Sequence, residues 1–468
     1  MKKIFIFLGI ATPLFFLGAF SMQFFNDDFY FLKITRQFDL VSFFSPLRTT
    51  FYRPFPTEFF YFFLQRLPYP MITGHIIVFS VFMLGVYFLF KTIHLITKNR
   101  EIALFSSILY LFHFSHVYQL YWFATFQEVL QFTLLIMSLY FMLNKRFAIS
   151  IGIFIMALFS KEQALLFPFV AFFFYFLKYR KVNRLFFVYI LLDLIFIGVH
   201  AYVNMHMPVL PEYVIHMDMK LFINNILWYG LWSLGFPAMM SDYMRSIFSL
   251  PFGNFWNYFS SLSFRIYFFG MAIYNALIAF SLLGIFLSKS KEKKRLILII
   301  VTCALLFLFF LLPVLPIIHK WMVRLTIPLI YISLIGGSIL GLLWNTKRLK
   351  LVVVALLALY LVWNFFGVKE HEAISTYTLE SRISRNAERI FADVARFEKC
   401  NSIYIEDPKE MKMGSWDGSE KIALTLSGES FASHYLPQKK DMQVFYEYRT
   451  KNIPTGSCIV NALELMKN

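Results

Sequence analysis

Acidic residues and cysteines are scarce in this sequence. Its 468 residues include 27 Asp and Glu, 44 Lys and Arg and three Cys, and only 15% of all residues are charged whereas 59% are hydrophobic. Soluble proteins usually carry about 25% charged residues. The composition therefore excludes an ordinary soluble protein, and three cysteines are too few for a disulfide scaffold. We expect a multi-pass membrane protein.

The excess of basic residues belongs to the apolar part of the chain. Residues 1–368 contain 30 basic and 12 acidic residues, whereas residues 369–468 contain 14 and 15. The basic residues form short runs between apolar segments, which is typical of cytoplasmic membrane loops and not of a nucleic-acid-binding surface. Nucleic acid is therefore excluded as a partner, and membrane lipids are expected as one.

Eleven apolar segments predict about eleven transmembrane helices, because several have the roughly 20 residues that a crossing requires. These segments lie near residues 1–25, 72–96, 101–120, 127–143, 147–159, 163–178, 185–203, 265–287, 296–317, 325–344 and 351–367. The first segment could also be a signal peptide, but its length and weak cleavage site favour a retained helix.

Basic clusters between alternate segments predict the orientation of the chain. They are Lys98/Arg100, Lys145/Arg146, Lys178 to Arg184, Lys289 to Arg295 and Lys347 to Lys350. Since basic loops stay in the cytoplasm, the amino terminus is expected inside and residues 369–468 outside the cytoplasmic membrane. Residues 204–264 also lie outside and are rich in tryptophan, which favours interfacial or re-entrant helices.

The sequence of residues 369–468 predicts a small extracytoplasmic α/β domain. A helix is expected at about 372–398, followed by strands at 403–406, 443–448 and 458–460 between Gly and Pro turns. A Cys400–Cys458 disulfide and two reduced thiols are equal alternatives in that compartment. The predicted fold is an all-α polytopic membrane domain, residues 1–368, with this C-terminal domain attached.

Carboxylates on the outer side are informative, because an ionised group at membrane depth is tolerated mainly where it faces a cavity or a partner. Asp27 and Asp28 directly follow the first predicted helix, and a helix cap or a solvated loop is the alternative reading. Glu128 opens the fourth predicted helix, where it either faces a cavity or caps the helix. We expect Asp27, Glu128 and Glu162 to meet in a single water-filled pocket.

Lys161 and Glu162 are predicted at the tip of a helical hairpin. Residues 147–179 are apolar and have basic flanks at both ends, so both ends are expected in the cytoplasm. An arm of about 13 residues rises only about 20 Å against a hydrocarbon core of about 30 Å, which places the tip below the outer surface. Lys161 and Glu162 then line a water-filled cavity, form an ion pair with each other, or do both.

Basic residues on the outer side break the charge pattern of the membrane loops. Arg53, Lys161, Lys320 and Arg324 are the candidates for holding a phosphate, since Arg offers bidentate geometry and Lys a point charge. Contact with lipid phosphates is the alternative for any one of the basic residues in the outer loops.

His113 and His116 lie one helical turn apart near the outer end of the third predicted helix. With a nearby carboxylate they could bind a metal, although such histidines more often sit at the interface without one. The cofactor is therefore left open between none and a divalent metal ion.

Four motifs resemble those of the GT-C superfamily of polyprenyl-phosphate-sugar-dependent glycosyltransferases, both in their order along the chain and in their predicted position on the extracytoplasmic side. They are similar to motifs in bacterial relatives of protein O-mannosyltransferases over about the first 180 residues. The motifs are Asn26-Asp27-Asp28, Tyr52-Arg53-Pro54, Phe126-Gln127-Glu128 and Ser160-Lys161-Glu162-Gln163-Ala164. The tetratricopeptide repeats of some relatives are missing.

The resemblance implies a catalytic set. Asp27 would be the general base, Asp28 its paired acid, Glu128 the acid of the second outer loop and Glu162, with Lys161, the hairpin-tip pair. O-mannosyltransferases carry Asp-Glu where this chain has Asp-Asp, so the identity of the acceptor does not carry over. Metal dependence varies within the superfamily and does not carry over either.

The expected function is transfer of a sugar from a polyprenyl-phosphate-linked donor to a hydroxyl of a lipid, glycan or protein acceptor on the extracytoplasmic face. Such transfer needs a carboxylate to take the proton and cations to stabilise the phosphate, and a single displacement inverts the anomeric carbon. The rivals are a transporter or flippase of lipid-linked sugars, whose ionisable groups usually lie near the bilayer midplane, and an oligosaccharide ligase or polymerase.

Overall fold

The computed structural model describes residues 2–49, 51–208, 210–244, 253–287, 292–407, 418–439 and 442–467. Lys289 and Lys291, which belong to one of the predicted cytoplasmic clusters, lie outside the described residues.

The first part of the chain is helical. Its helices are α1 (Lys2–Phe15), α2 (Asp27–Ile34), α3 (Leu40–Phe43), α4 (Phe60–Leu64), α5 (Pro70–Thr97), α6 (Arg100–Leu111), α7 (Val117–Leu120), α8 (Phe126–Leu143), α9 (Phe147–Leu158), α10 (Phe167–Tyr179), α11 (Phe186–His206), α12 (Met219–Ser233), α13 (Leu262–Leu287), α14 (Lys293–Leu311), α15 (Pro328–Trp344) and α16 (Lys350–Ile374).

Within the described ranges, six helical segments are long and apolar enough to cross a membrane. They are Pro70–Thr97, Phe123–Leu143, Phe186–His206, Leu262–Leu287, Lys293–Leu311 and Lys347–Ile374. Shorter apolar helices occur at Lys3–Phe15, Phe147–Leu158 and Pro328–Trp344. These helices confirm the prediction of a mostly helical membrane protein, whereas the number of eleven crossings stays a prediction.

Large apolar side chains remain on the outside of the bundle, as a lipid-facing surface requires. On α13, for example, Phe280 is 70% exposed and Leu287 is 78% exposed. A soluble monomer rarely leaves such a continuous apolar surface in water. Inside the bundle, α15 packs so closely on α6 that a Cβ added at Gly337 would overlap Ser106 Oγ. Small residues of this kind let helix backbones approach each other in membranes.

Residues 207–208 and 210–218 lie between α11 and α12, and we name them the strap. The His216 N–H donates to Pro316 O at 2.8 Å, and Ile215 forms an isolated antiparallel bridge with Ile317. Asn225 of α12 donates from Nδ2 to the carbonyl of Leu315 at 2.8 Å. The strap is thus held against the loop between α14 and α15, and both segments line the cavities described below.

The C-terminal part forms a small α/β unit. Its helices are α17 (Thr376–Phe391), α18 (Val394–Phe397), α19 (Gly418–Thr425), α20 (Ser430–Tyr435) and α21 (Ala462–Met466), and its strands are β1 (Ser402–Glu406), β2 (Gln443–Tyr446) and β3 (Ser457–Asn461). The sheet is parallel with the order β2-β1-β3, and Ile403 lies opposite Val444 and Cys458. All three predicted strands are therefore confirmed.

Two expectations about this unit are refined by the structure. Cys400 and Cys458 form a disulfide, which decides between the two alternatives left by the sequence. The helix expected at about 372–398 is divided among the end of α16, α17 and α18, because Ser375 is extended and accepts the Tyr377 N–H as an N-cap. The predicted boundary after residue 368 lies inside α16.

The C-terminal unit packs directly against the loop that follows the first helix. The Asn26 N–H donates to Thr425 O at 2.5 Å, and the Gln23 N–H donates to Ser381 Oγ at 2.9 Å. Arg385 donates to the carbonyl of Ser21 at 2.6 Å. The Asn26-Asp27-Asp28 motif is therefore held between the helical bundle and this unit.

Candidate functional site

Two adjoining cavities lie among the loops that carry the predicted acidic residues. The first, of about 580 Å³, is lined by Arg53, Glu128, Lys161, Glu162 and Arg324 among other residues, and we name it the cationic cavity. The second, of about 480 Å³, contains Asp27, and we name it the Asp27 cavity. Six residues line both: Phe51, Arg53, Gln127, Leu210, Tyr213 and Trp321. The pocket that the sequence predicted as single is thus divided in two by a shared wall.

Asp27 begins α2 and points into its cavity. Asn26 before it has φ 55° and ψ −128°, a positive-φ conformation that few residues other than glycine adopt. The Asp27 side chain is accessible from the cavity, yet protein surrounds that cavity closely. The surrounding protein raises the pKa of Asp27 to about 6, an increase that the charge of Arg53 only partly opposes. The carboxyl therefore titrates close to neutral pH, as a general base should.

Asp28 is fully buried and lines neither cavity. The Tyr61 hydroxyl donates to one of its oxygens, and the Phe25 N–H donates to the other at 3.1 Å. Burial raises the pKa of Asp28 well above its usual range despite these hydrogen bonds. The structure thus separates the two predicted acids: Asp27 faces the cavity, and Asp28 anchors the loop that carries it.

Arg53 stands in the wall between the cavities. Its guanidinium donates to both Glu162 oxygens, at 2.9 and 2.6 Å, and to Gln127 Oε1 at 2.6 Å. The guanidinium carbon also lies 4.4 Å from the centre of the Phe51 ring. A bidentate pair of this kind fixes orientation as well as charge, so Arg53 is held rigidly where the two cavities meet.

Lys161 and Glu162 do not pair with each other. Lys161 forms a buried ion pair with Glu128, and its carbonyl accepts from Gln131 Nε2 at 2.9 Å. The backbone of Lys161 is extended, which sends successive side chains to opposite sides. Lys161 therefore reaches α8 while Glu162 reaches Arg53, and both residues line the cationic cavity.

Arg324 adds a positive charge to the cationic cavity. It is only 5% exposed, donates to His319 O at 2.7 Å and lies 5.6 Å from the centre of the Tyr213 ring. In the described part of the chain, no carboxylate oxygen lies within 4.0 Å of its guanidinium. Arg324 thus leaves the cavity with more positive than negative charge.

Lys320 lines neither cavity, so the structure brings together only three of the four predicted phosphate-binding residues. Partial burial lowers the pKa of Lys320, which the charge of Asp242 opposes. The 3₁₀ turn Met322–Leu325 directs Arg324 inward, whereas Lys320 precedes that turn.

The cationic cavity also contains two polar side chains, Gln163 and His200, that were not predicted as site residues. Gln163 Nε2 and His200 Nε2 are buried and have no hydrogen-bond partner among the described residues. Buried polar groups are nearly always satisfied, so these atoms mark a place for a bound ligand or water. Gln163 belongs to the hairpin-tip motif, but His200 lies in an apolar helix and has no sequence signal.

The C-terminal unit also contributes to the site. Thr376, Tyr377 and Glu380, all on α17, line the Asp27 cavity. Glu380 forms a buried ion pair with Lys421 of α19. These residues are about 350 positions away from Asp27 in the sequence, and only the docking of the unit brings them near it.

The residues of the described ranges include no group of three or more His, Cys, Asp or Glu side chains that could hold a metal ion. His116 bonds through Nε2 to Tyr110 O at 2.7 Å, and His113 bonds through Nδ1 to Ser115 Oγ at 2.8 Å. Neither histidine lines either of these two cavities.

Comparison with protein-family models and with curated proteins finds no match for this chain. The described residues place a titratable carboxylate in one cavity and an excess of cationic groups in the next. This arrangement suits proton removal on one side and stabilisation of an anion on the other.

Proposed function

We propose that the protein is an integral membrane glycosyltransferase, similar to the GT-C superfamily, that moves a sugar from a polyprenyl-phosphate-linked donor to an acceptor hydroxyl on the extracytoplasmic face. The observation that carries the proposal is the position of Asp27, which faces a cavity that shares Arg53 and part of its wall with a second, cationic cavity.

The cationic cavity suits the phosphate of the donor. Among the described residues that line it, three cationic side chains, Arg53, Lys161 and Arg324, stand against two carboxylates, so one positive charge of this set is left to meet a phosphodiester. The unpartnered Gln163 and His200 nitrogens are available as donors. Apolar residues complete the wall, among them Met207, Val314 and Ile317, and they suit the first isoprene units of the lipid.

The Asp27 cavity suits the acceptor. The acceptor oxygen attacks the anomeric carbon while the bond between that carbon and the phosphate oxygen breaks. The bonding electron pair leaves with the phosphate, whose new charge Arg324 and Lys161 stabilise. Asp27 takes the proton of the acceptor hydroxyl. A single displacement of this kind inverts the configuration at the anomeric carbon.

Glu128 and Glu162 have a positioning role in this proposal. Each carboxylate is engaged with a cation, Lys161 or Arg53, so neither is free to act as a second base. Their charges hold the two cations at the cavity wall in a fixed orientation. Asp28 keeps the loop of Asp27 in place through Tyr61 and Phe25.

The topology belongs to the same proposal. About eleven crossings of the cytoplasmic membrane, with the amino terminus inside, put the C-terminal unit and both cavities on the extracytoplasmic side. The alternation of basic clusters along the sequence supports this orientation, and a disulfide in the C-terminal unit agrees with an oxidising compartment.

The proposal is tested with the full chain in lipid nanodiscs and polyprenyl-phosphate donors carrying a radiolabelled hexose. We expect release of the polyprenyl phosphate and a product heavier than its acceptor by one sugar. Movement of intact donor across a liposome membrane without any glycosidic product would support the flippase instead. Addition of a whole oligosaccharide would support a ligase.

The pH dependence of transfer is expected to follow Asp27. The base must be ionised, and the pKa of Asp27 is about 6, so kcat/KM should be half-maximal near pH 6 and fall about tenfold for each pH unit below that. A profile measured between pH 4.5 and 8 checks this expectation, with donor binding measured at each pH as the control. A rate that is constant down to pH 4.5 would contradict a base role for Asp27.

Arg324→Gln is expected to weaken donor binding. A charge-assisted hydrogen bond contributes about 1.5–3 kcal/mol, so the KM for the donor should rise roughly 10- to 100-fold. Arg265→Gln is the matched control, because Arg265 is exposed at the start of α13 and lines neither cavity. Equal donor KM values for the two variants would remove Arg324 from the phosphate site.

A further inference from the structure

Aromatic rings form much of the Asp27 cavity. The Trp122 ring centroid lies 5.7 Å from that of Trp321 and 5.6 Å from that of Tyr377, and we name these three rings the Trp122 cluster. Tyr30 also lines the cavity. Of the described residues that line this cavity, only Ala124 and Leu210 are aliphatic. A long alkyl or isoprenoid chain would find little aliphatic surface here, which distinguishes this cavity from the cationic one.

Polar groups are placed between these rings. The Tyr377 hydroxyl is buried beside the Trp321 indole and forms no hydrogen bond with any described residue, so it is available to a ligand. Glu380, one helical turn further along α17, is fixed by its ion pair with Lys421. The C-terminal unit therefore presents a hydroxyl and an oriented carboxylate to the cavity that holds Asp27.

This combination matches a sugar ring. A pyranose has an apolar C–H face that packs on aromatic rings and a rim of hydroxyls that donate to carboxylates and exchange hydrogen bonds with a phenol. A peptide would instead be recognised largely through its backbone at a sheet edge or in a groove, and the cavity wall is built from side chains of helices and loops. The volume of about 480 Å³ is within the usual range for small-molecule sites.

We infer that the acceptor is a carbohydrate, and that Tyr377 and Glu380 of the C-terminal unit are residues that determine acceptor specificity. The inference rests on the proposed transfer function and adds the chemical class of the acceptor. The sugar packs on the Trp122 cluster, one hydroxyl faces Asp27, and others bond Tyr377 and Glu380. A site built to bond hydroxyls rejects analogues that lack them.

Binding is tested on the full chain in nanodiscs by saturation-transfer NMR. The probes are the methyl α- and β-glycosides of glucose, galactose and mannose, with N-acetylserine amide and N-acetylthreonine amide as the peptide arm. We expect at least one glycoside to bind more tightly than either amino-acid amide. Glu380→Gln should weaken that binding at least tenfold, and Tyr377→Phe about threefold or more.

Glu429→Gln is the matched control, because Glu429 belongs to the same unit but pairs with Lys33 at the surface. Tyr377→Phe removes a single oxygen that forms no hydrogen bond with any described residue. It therefore reports on the site even if Glu380→Gln, which leaves Lys421 buried without its charge partner, fails to fold. Glycoside binding that Tyr377→Phe does not weaken, or binding of the amides alone, would overturn the inference, as would no binding of any glycoside.

Donor cleavage measured in the same samples separates this inference from the proposed function. Wild-type protein that binds a glycoside and cleaves no polyprenyl-phosphate sugar would contradict the transferase and leave the carbohydrate site standing. Wild-type protein that cleaves the donor and binds no glycoside would contradict only the carbohydrate acceptor. Transfer to a glycan-bearing lipid but not to a free oligosaccharide would show that the sugar is presented on a lipid.

Discussion

Asp27→Asn is expected to lower the rate of sugar transfer by a factor of about 10²–10⁴, the contribution of a positioned general base. The amide keeps the size and much of the hydrogen bonding of the carboxylate but cannot accept the acceptor proton. Since Asp27 is accessible from its cavity and forms no ion pair within the described residues, its replacement removes little from the packing of the protein.

The measurement is kcat for transfer, with donor binding and thermal unfolding recorded for the same preparations. Asp39→Asn is the matched control, because Asp39 lies in the same loop and caps α3 by accepting from the N–H groups of Val41 and Ser42. Asparagine is an equally good N-cap, so this variant should transfer sugar at the wild-type rate. Unchanged kcat in Asp27→Asn would remove Asp27 from the mechanism.

Lys161→Met is expected to destabilise the protein by about 3–5 kcal/mol, because it leaves Glu128 buried without its cation. The exposed fraction of the side chain is 10% for Lys161 and 2% for Glu128, so water can do little to solvate the unpaired Glu128 charge. Reversible unfolding in mixed detergent micelles measures the loss. The matched control is Lys33→Met at the surface pair with Glu429, where at most about 1 kcal/mol is expected.

The double variant Lys161→Met/Glu128→Gln should regain most of that stability, since no uncompensated charge remains. Sugar transfer should stay low, because the cation that meets the phosphate is still missing. Recovery of both stability and transfer would show that the pair has only a structural role. Additive losses of stability from the two single changes would mean that the residues do not act as a pair.

The membrane part of the fold could be predicted from apolar length and charge, because a bilayer demands long apolar helices and keeps basic loops on one side. The hairpin of α9 and α10 is an example: basic flanks at both ends of residues 147–179 require a turn, and the structure has it around Lys161. The strands were predictable from short β-branched runs such as Ile403 to Glu406.

The pairing of charges could not be predicted from the sequence. Lys161 and Glu162 are neighbours in the chain, yet each bonds a residue from another loop. Asp27 and Asp28 are also neighbours, but one step along a helix start rotates the second into the core. The sequence predicts which charged residues lie at a similar depth in the membrane. Tertiary packing determines which of them face a cavity.

The contribution of the C-terminal unit to the Asp27 cavity could not be predicted from the sequence either. Tyr377 and Glu380 lie in an amphipathic helix whose pattern predicts only that one face is buried. That this face meets Asp27 follows from the docking contacts of the unit, such as the hydrogen bond from Gln23 to Ser381. Position in the chain gave no reason to connect these residues with the first outer loop.

The hydrogen bond from Asn26 to the carbonyl of Thr425 has a consequence for biosynthesis. The loop that carries the base leaves the ribosome early, but its backbone partner is synthesised some 400 residues later. At about 5–20 residues per second, that interval lasts about 20–80 seconds. The Asp27 loop therefore lacks this backbone partner while the rest of the chain is synthesised, and the wall that α17 adds to its cavity forms only after translation is nearly complete.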